Sequence, residues 1–128
     1  MRSKFIDDER SLYDALTAAG VAKRRAMQLQ NLMVHCKYST FKIDCPVEQI
    51  EGCDMVIATI NSPAEALQQM AEKAHSEHLT LCVISPTLDQ QRDRACRAIV
   101  DAHTCTSVDN RGYLLIFNNH LPKQKFRL

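Results

Sequence analysis

Two apolar runs, each closed by a Ser-Pro pair, constrain the fold of this chain more than any other feature. The first, residues 54–60, leads into Ser62-Pro63, and the second, residues 79–84, leads into Ser85-Pro86. Short, nearly continuous apolar runs are typical of strands covered on both faces of a sheet. Proline suits the first turn of a helix, where its missing N–H leaves no hydrogen bond unmade. The two runs therefore predict two consecutive strand–turn–helix units.

Helical spacing follows each Ser-Pro pair. Ser62 with Glu65, and Thr87 with Gln90, match the capping-box pattern that begins many helices. The apolar positions of the first helix fall on one face and are Leu67, Met70, Ala71 and Ala74. Those of the second helix are Leu88, Ala95, Cys96, Ile99 and Val100. Both helices are therefore predicted to pack one face against the sheet.

The remaining patterns complete an α/β fold. Residues 104–108 and 113–117 read as two short strands joined as a hairpin near Gly112. Two helical patterns joined near Gly20, and one extra strand over 38–43, precede the core. We therefore expect a two-layer β-α-β-α-β-β core with a mixed sheet. Its first two strands should be parallel and its last two antiparallel.

A length of 128 residues predicts a single domain. Its parts are a helical N-terminal element over 1–36, the α/β core over 38–118 and a basic tail over 119–128. No apolar run approaches the roughly 20 residues of a membrane span. The N-terminus turns acidic at residues 7–9, where a signal peptide would be apolar. We therefore expect a cytoplasmic protein without a membrane partner.

Charge is distributed unevenly along the chain. Lys and Arg exceed Asp and Glu by eight to six in residues 1–50, whereas acids exceed bases by nine to five in residues 51–118. Residues 119–128 carry three basic residues and no acidic one. A nucleic-acid contact, if the chain makes one, is therefore expected at the ends and not on the core.

The carboxyl ends of the two predicted parallel strands are the first candidate site. Ligands of open α/β sheets bind at this edge, and four polar residues lie there: Asn61, Ser62, Ser85 and Thr87. Helix N-termini favour anions, but no Gly-rich phosphate loop is present. Ser and Thr serve more commonly as helix caps, so ligand binding and capping are the alternatives for this edge.

The cysteine and histidine residues suggest metal or thiol chemistry only weakly. Candidate zinc ligands are His35, Cys36, Cys45, Cys53, His103 and Cys105, without any Cys-x-x-Cys spacing. Neighbours on a helix, such as His35 and Cys36, do not face each other as a catalytic pair would. We interpret the six cysteines as reduced and mostly structural. No catalytic residue, metal or cofactor is assigned.

Two basic segments are candidates for nucleic-acid binding. Lys23, Arg24, Arg25 and Gln28 begin the second helix after the Gly20 turn, with a spacing close to that of a helix-turn-helix. The tail contributes Lys123, Lys125 and Arg127, alternating with apolar residues. A solvated helix face is the alternative for the first segment. A disordered end, an added edge strand or a docking peptide are the alternatives for the second.

The last predicted strand is a candidate interface. Tyr113, Leu115 and Phe117 belong to a strongly apolar strand, which would be a pairing hazard at the edge of a sheet. Either other elements cover this strand or a second subunit does.

These observations lead to three functions. The first is a non-catalytic regulatory or adaptor module that binds a protein partner or a second copy of itself as a homodimer. The alternative is a nucleic-acid-binding regulator that uses the helix-turn-helix-like region and the basic tail. The second alternative is a small enzyme or nucleotide binder at the strand-to-helix edge.

Overall fold

The computed structural model describes residues 11–102, 107–109, 112–118 and 125–127. Contacts divide the chain into two compact units, Met1–Phe41 and Lys42–Leu128. The single-domain assignment stays a prediction. None of the helices in the described ranges is long and apolar enough to span a bilayer.

The first unit contains a helical hairpin of α1 (Ser11–Ala18) and α2 (Lys23–His35). α1 ends in a Schellman turn: Val21 N donates to Leu16 O at 2.9 Å and Gly20 N donates to Thr17 O at 3.1 Å. Gly20 has a φ of +95°, which side-chain-bearing residues rarely adopt. The buried apolar residues of the hairpin are Leu12, Leu16, Ala26, Leu29 and Met33. The two predicted N-terminal helices are thereby confirmed.

A buried glutamine joins the two helices. Gln30 in α2 is buried, and its Oε1 accepts a hydrogen bond from the backbone N of Tyr13 in α1 at 3.0 Å. Buried amides must find such partners to offset the loss of water. The bond therefore helps to fix how α1 and α2 pack.

A mixed sheet and two helices form the second part of the fold. In chain order the elements are β1 (Phe41–Ile43), a 3-10 turn (Val47–Gln49), β2 (Met55–Ala58), α3 (Ala64–Ser76), β3 (Thr80–Ile84), α4 (Gln90–Ala102), β4 (Ser107–Asp109), β5 (Tyr113–Ile116) and β6 (Lys125–Arg127). The six strands are ordered β1-β2-β3-β5-β4-β6. This order of helices and strands confirms the predicted α/β class and mixed sheet.

Strand directions follow the predicted pattern. β2 pairs with β3 in parallel, with Val56 opposite Leu81. β5 runs antiparallel to both β3 and β4, with Leu114 opposite Val83 and Asp109. The β4–β5 hairpin is therefore confirmed, although its loop residues 110 and 111 and its start at 103–106 lie outside the described residues.

The core lies between the sheet and one face of α3 and α4. Every residue of β2 and β3 is buried, as their apolar runs predict. Alternate strand residues join the helices in one apolar cluster: Ile50, Val56, Ala58, Leu67, Met70, Ala71, Ala74, Leu79, Leu81, Val83, Cys96, Ile99, Leu114 and Ile116. Of the residues predicted to face inward, Leu88 is the exception, because it precedes α4 and is exposed.

β5 is an interior strand and not an edge strand. It lies between β3 and β4, which use both of its hydrogen-bonding edges. Leu115 is buried, whereas Tyr113 and Phe117 are partly buried. Of the two alternatives for this strand, cover by other elements of the chain is the one that the structure shows. The interface predicted at these residues therefore loses its physical reason.

Candidate functional site

The loops after β2 and β3 hold the four residues predicted to bind a ligand: Asn61, Ser62, Ser85 and Thr87. Because β2 and β3 are parallel, both loops leave the same edge of the sheet. Ser62 is buried and Ser85 is partly buried, whereas Asn61 and Thr87 are exposed. Arg92, which the sequence patterns did not single out, joins the two serines.

The Arg92 guanidinium donates to backbone carbonyls from both loops. Arg92 lies in the first turn of α4 and is only 2% exposed. Nη1 donates to Ser62 O at 2.7 Å, and Nη2 donates to Thr59 O and Ile84 O at 2.9 Å each. Nε donates to Ser85 O at 3.1 Å. Arg92 therefore fastens the carboxyl ends of β2 and β3 to the start of α4.

The charge of Arg92 is met mainly by carbonyl dipoles. Burial lowers the pKa of the guanidinium, and the neighbouring side chains of Cys96, Asp89 and Asp44 raise it. An arginine stays protonated in proteins, so this position holds a buried cation. A buried charge is tolerated only when its hydrogen bonds are made.

Asp44 completes the same polar network. It follows β1, and its carboxylate accepts hydrogen bonds from Thr59 N at 2.8 Å and from the hydroxyls of Thr59 and Ser62. Its φ of 51° lies in the left-handed region, which Asp adopts more readily than most residues. Ser62 thus connects the two charged side chains: its hydroxyl donates to Asp44, and its carbonyl accepts from Arg92.

The predicted helix caps are replaced by other residues. Pro63 stands at the N-cap of α3 without a side-chain capping bond. Asp89 precedes α4, and its Oδ1 accepts the backbone N of Arg92 at 2.8 Å. The predictions that Ser62 and Thr87 cap these helices are therefore wrong.

The network leaves little capacity to bind an anion. A guanidinium has five N–H donors, and the carbonyl contacts of Arg92 leave one donor, on Nη1, without a partner among the described residues. Ser62 is engaged at both its hydroxyl and its carbonyl. This edge has a clear structural role, and its ligand-binding role stays a prediction.

The described cysteines lack the features of a reactive thiolate. Burial raises the pKa of Cys82 well above its usual range and that of Cys96 to about 11. Burial also raises the pKa of the partly buried Cys36, Cys45 and Cys53. Nucleophilic cysteines require the opposite shift. Cys105 and His103 lie outside the described residues.

Metal ligation finds no support in the part of the chain that the structure describes. There, no group of three or more His, Cys, Asp or Glu side chains is placed so that it could hold a metal ion.

The exposed face of α2 carries the first predicted basic segment. Lys23 and Arg24 are exposed, and neither makes an ion pair with a described residue. Arg25 is partly buried, and its Nη1 donates to Gln28 Oε1 at 2.8 Å. Of the four predicted nucleic-acid-binding residues, Arg25 and Gln28 are therefore bound to each other along the helix. Lys23 and Arg24 extend into solvent.

Three more exposed residues extend this face along α2. Met27, Asn31 and Val34 are exposed, and Met27 and Val34 are 54% and 56% exposed. Spacings of three, four and seven residues place side chains on the same side of a helix. We call this set the α2 face, formed by Lys23, Arg24, Met27, Asn31 and Val34.

The basic tail contributes a strand. Residues 125–127 form β6, which pairs in parallel with β4, so that Lys125 lies opposite Ser107 and Arg127 opposite Asp109. Of the three alternatives for the tail, the added edge strand is the one that these residues adopt. Lys123 lies outside the described residues.

No family model, curated protein or solved structure matches this chain.

Proposed function

We propose that the chain binds duplex DNA through the α2 face. The observation that carries the proposal is the exposed Lys23-Arg24 pair at the start of the second helix of a hairpin. Neither side chain has an ionic partner among the described residues. Cations of this kind supply the phosphate contacts that dominate protein–DNA affinity.

The start of α2 is electrostatically unfavourable in the absence of an anion. Three consecutive basic residues occupy its first turn, where no acidic residue is present, and Ala22 at the N-cap makes no side-chain capping bond. The positive end of a helix dipole repels cations and attracts anions. A DNA phosphate at this position would remove the repulsion, which supports the proposal independently of exposure.

The rest of the α2 face suits a DNA groove. α2 has 13 residues and is therefore about 20 Å long, and the major groove of B-DNA, about 12 Å wide, admits such a helix. Asn side chains pair with adenine, and apolar side chains contact the methyl group of thymine. Asn31 and Met27 offer these two chemistries on the same face as Lys23 and Arg24. The deep, narrow groove of duplex RNA excludes side chains, so the proposal is specific to DNA.

This function is preferred over the other two for physical reasons. For a protein-binding module, the hairpin strand is one of the expected docking surfaces, and its β5 lies inside the sheet. A small enzyme or nucleotide binder would need available polar groups after β2 and β3, and Arg92 and Asp44 already bind the buried Ser62 there. The cytoplasm remains the expected compartment.

Fluorescence anisotropy with a labelled duplex tests the proposal. The logarithm of the wild-type association constant should fall with the logarithm of salt concentration, with a slope of about −0.9 per phosphate contacted. Lys23→Ala/Arg24→Ala should weaken binding and make the slope less steep by about 2, one for each lost contact.

The matched control removes two positive charges elsewhere. Arg94 and Arg97 are exposed on α4, so Arg94→Ala/Arg97→Ala should leave the slope near the wild-type value. The proposal fails if the wild type does not bind at low salt, or if both double variants change the slope equally. A preference for duplex RNA would also overturn it.

A further inference from the structure

The exposed large apolar side chains of the described residues fall into two pairs. Met27 and Val34 lie on α2, whereas Ile60 and Leu88 lie in the loops after β2 and β3. Each of the four is between 54% and 56% exposed. Single exposed apolar residues are normal, whereas apolar patches rimmed by polar residues mark interaction sites.

Ile60 and Leu88 share one edge of the sheet. The strands that lead into their loops are hydrogen-bonded neighbours running in the same direction, and such strands lie about 4.8 Å apart. Arg92 bonds to carbonyls in both loops and so fixes them relative to each other. The two apolar side chains are therefore held at the same end of the sheet by a rigid polar network.

The two apolar pairs have flanking charges of opposite sign. Lys23 and Arg24 belong to the same face as Met27 and Val34. Two exposed acids belong to the same region as Ile60 and Leu88. Asp89 directly follows Leu88, and Glu65, in the first turn of α3, accepts a hydrogen bond from Gln91 in the first turn of α4. We call the set of Ile60, Leu88, Glu65 and Asp89 the loop surface. An apolar pair with bases thus complements an apolar pair with acids.

We propose that the α2 face of one copy of the chain docks on the loop surface of a second copy. Apolar contact would bury Met27 and Val34 against Ile60 and Leu88, and the flanking charges would attract across the boundary. The contact joins two different surfaces and is therefore head-to-tail. Two apolar side chains on each partner make a small interface, so association is weak and reversible.

This contact regulates the function proposed above. The α2 face that docks is the face assigned to DNA, so a copy whose α2 face is covered cannot bind a duplex. Self-association itself requires no DNA, and its test contains none. A failure of self-association therefore leaves the DNA proposal standing, and the reverse also holds.

Light scattering over a concentration series, with two complementary variants of the full chain, tests the contact. Met27→Ser/Val34→Ser removes the apolar pair of one surface, and Ile60→Ser/Leu88→Ser removes that of the other. The mean mass of the wild type should rise above 14.5 kDa as concentration increases. Each double variant alone should stay at the mass of a single chain, because every contact needs both surfaces.

Mixing the variants gives the decisive result. The first variant keeps an intact loop surface and the second keeps an intact α2 face, so an equal mixture should form a one-to-one dimer. A wild type that stays monomeric at every concentration overturns the proposal. So does a mixture that stays monomeric although the wild type associates, because that result indicates a symmetric contact.

Two additional checks separate binding from folding. Circular dichroism of each serine variant should match the wild type, because all four positions are exposed. Met27→Asp/Val34→Asp is a second way to block the α2 face, and a variant that associates as well as the wild type contradicts the proposed contact. Raising the salt concentration should weaken wild-type association, since opposite charges flank the contact.

Discussion

The guanidinium of Arg92 donates hydrogen bonds to several backbone carbonyls. It bonds to carbonyls that follow β2 and β3. Without it the buried Ser62 O would lose its hydrogen bond, whereas Thr59 O and Ser85 O would keep only those from Ser62 N and Leu88 N. Each buried group left unpaired costs about 1–3 kcal/mol. We therefore expect Arg92→Ala to lower the free energy of unfolding by about 3 kcal/mol or more, as measured by urea denaturation.

A neighbouring arginine provides the control for this prediction. Arg94 lies on the same helix but is exposed, and Arg94→Ala should change stability by no more than about 0.5 kcal/mol. Arg92→Lys keeps the charge but loses the planar fork of donors, so it should also destabilise. Equal stability of the Arg92→Ala and Arg94→Ala variants would contradict the structural role of Arg92.

Because Cys96 is buried, we expect the free energy of unfolding to fall as the pH becomes alkaline. Burial raises its pKa from 9.0 to about 11, so the folded state holds a proton that the unfolded state loses first. The stabilising contribution is complete below pH 9.0 and is lost as pH rises towards about 11. Cys96→Ala should therefore show a smaller loss of unfolding free energy across this range than the wild type.

The wild type and Cys96→Ala are compared by how steeply the free energy of unfolding changes with pH, and not by its absolute value. Removing the thiol leaves a small cavity, which shifts the curve of Cys96→Ala down at every pH without adding a pH dependence. If both proteins lose stability in parallel above pH 9.0, then Cys96 does not titrate as its burial requires.

At the scale of elements, α2 begins with an unfavourable arrangement that can be tested. Ala22 has N-cap geometry, with φ of −59° and ψ of 142°, but no side-chain oxygen. Serine at an N-cap is more stabilising than alanine by about 1 kcal/mol. Ala22→Ser should therefore slow hydrogen exchange of the α2 amides by about fivefold, which is the equivalent of that free energy.

The control is the same alanine-to-serine change in the middle of a helix, where the backbone amides already bond to carbonyls of the preceding turn. Ala98 is exposed in the middle of α4, and Ala98→Ser should destabilise slightly because serine is a weaker helix former. Ala22→Ser leaves the charge of the α2 face unchanged. If α2 exchanges no more slowly in Ala22→Ser than in the wild type, its N-terminus is not the weak point that we infer.

Local sequence patterns predicted the strands and helices themselves better than the residues that cap the helices. The strands β2 and β3 were predictable because continuous apolar runs bounded by Ser-Pro have few other solutions. The caps were not, since Ser62 binds Asp44, which lies 18 residues earlier in the chain. A pairing over that distance depends on the folded sheet and leaves no signal in a window of four residues.

Arg92 shows how a site residue can escape a search for apolar stripes. It lies four residues before Cys96 and seven before Ile99, so helical spacing places it on the inward face of α4. An arginine at a core position is a signal in itself, because a charge is buried only when it is well partnered. The sequence could have indicated this position, but not which carbonyls it binds.

At the scale of the whole molecule, charge and exposure carry different kinds of information. The basic character of residues 1–50 and the acidic character of residues 51–118 can be counted from the sequence. The interior position of β5 could not be predicted from such counts. It depends on the strand order, because β4 does not pair with β3 and leaves the position between them for β5. The four exposed apolar residues likewise became visible only in the folded structure.

The two proposed contacts compete for the α2 face. At protein concentrations where the wild type associates, Ile60→Ser/Leu88→Ser should bind duplex DNA at least as tightly as the wild type, because no second copy covers its α2 face. Anisotropy titrations at equal salt measure this effect. Weaker DNA binding by this variant would contradict the competition.

Contact between the α2 face and DNA can be observed by titrating isotope-labelled protein with a short duplex and following its backbone amide resonances by NMR. We expect progressive shifts that cluster in residues 22–35, while the resonances of the sheet residues Met55–Ala58 and Thr80–Ile84 do not move. Shifts confined to residues 42–118, or no shifts at low salt, would contradict it.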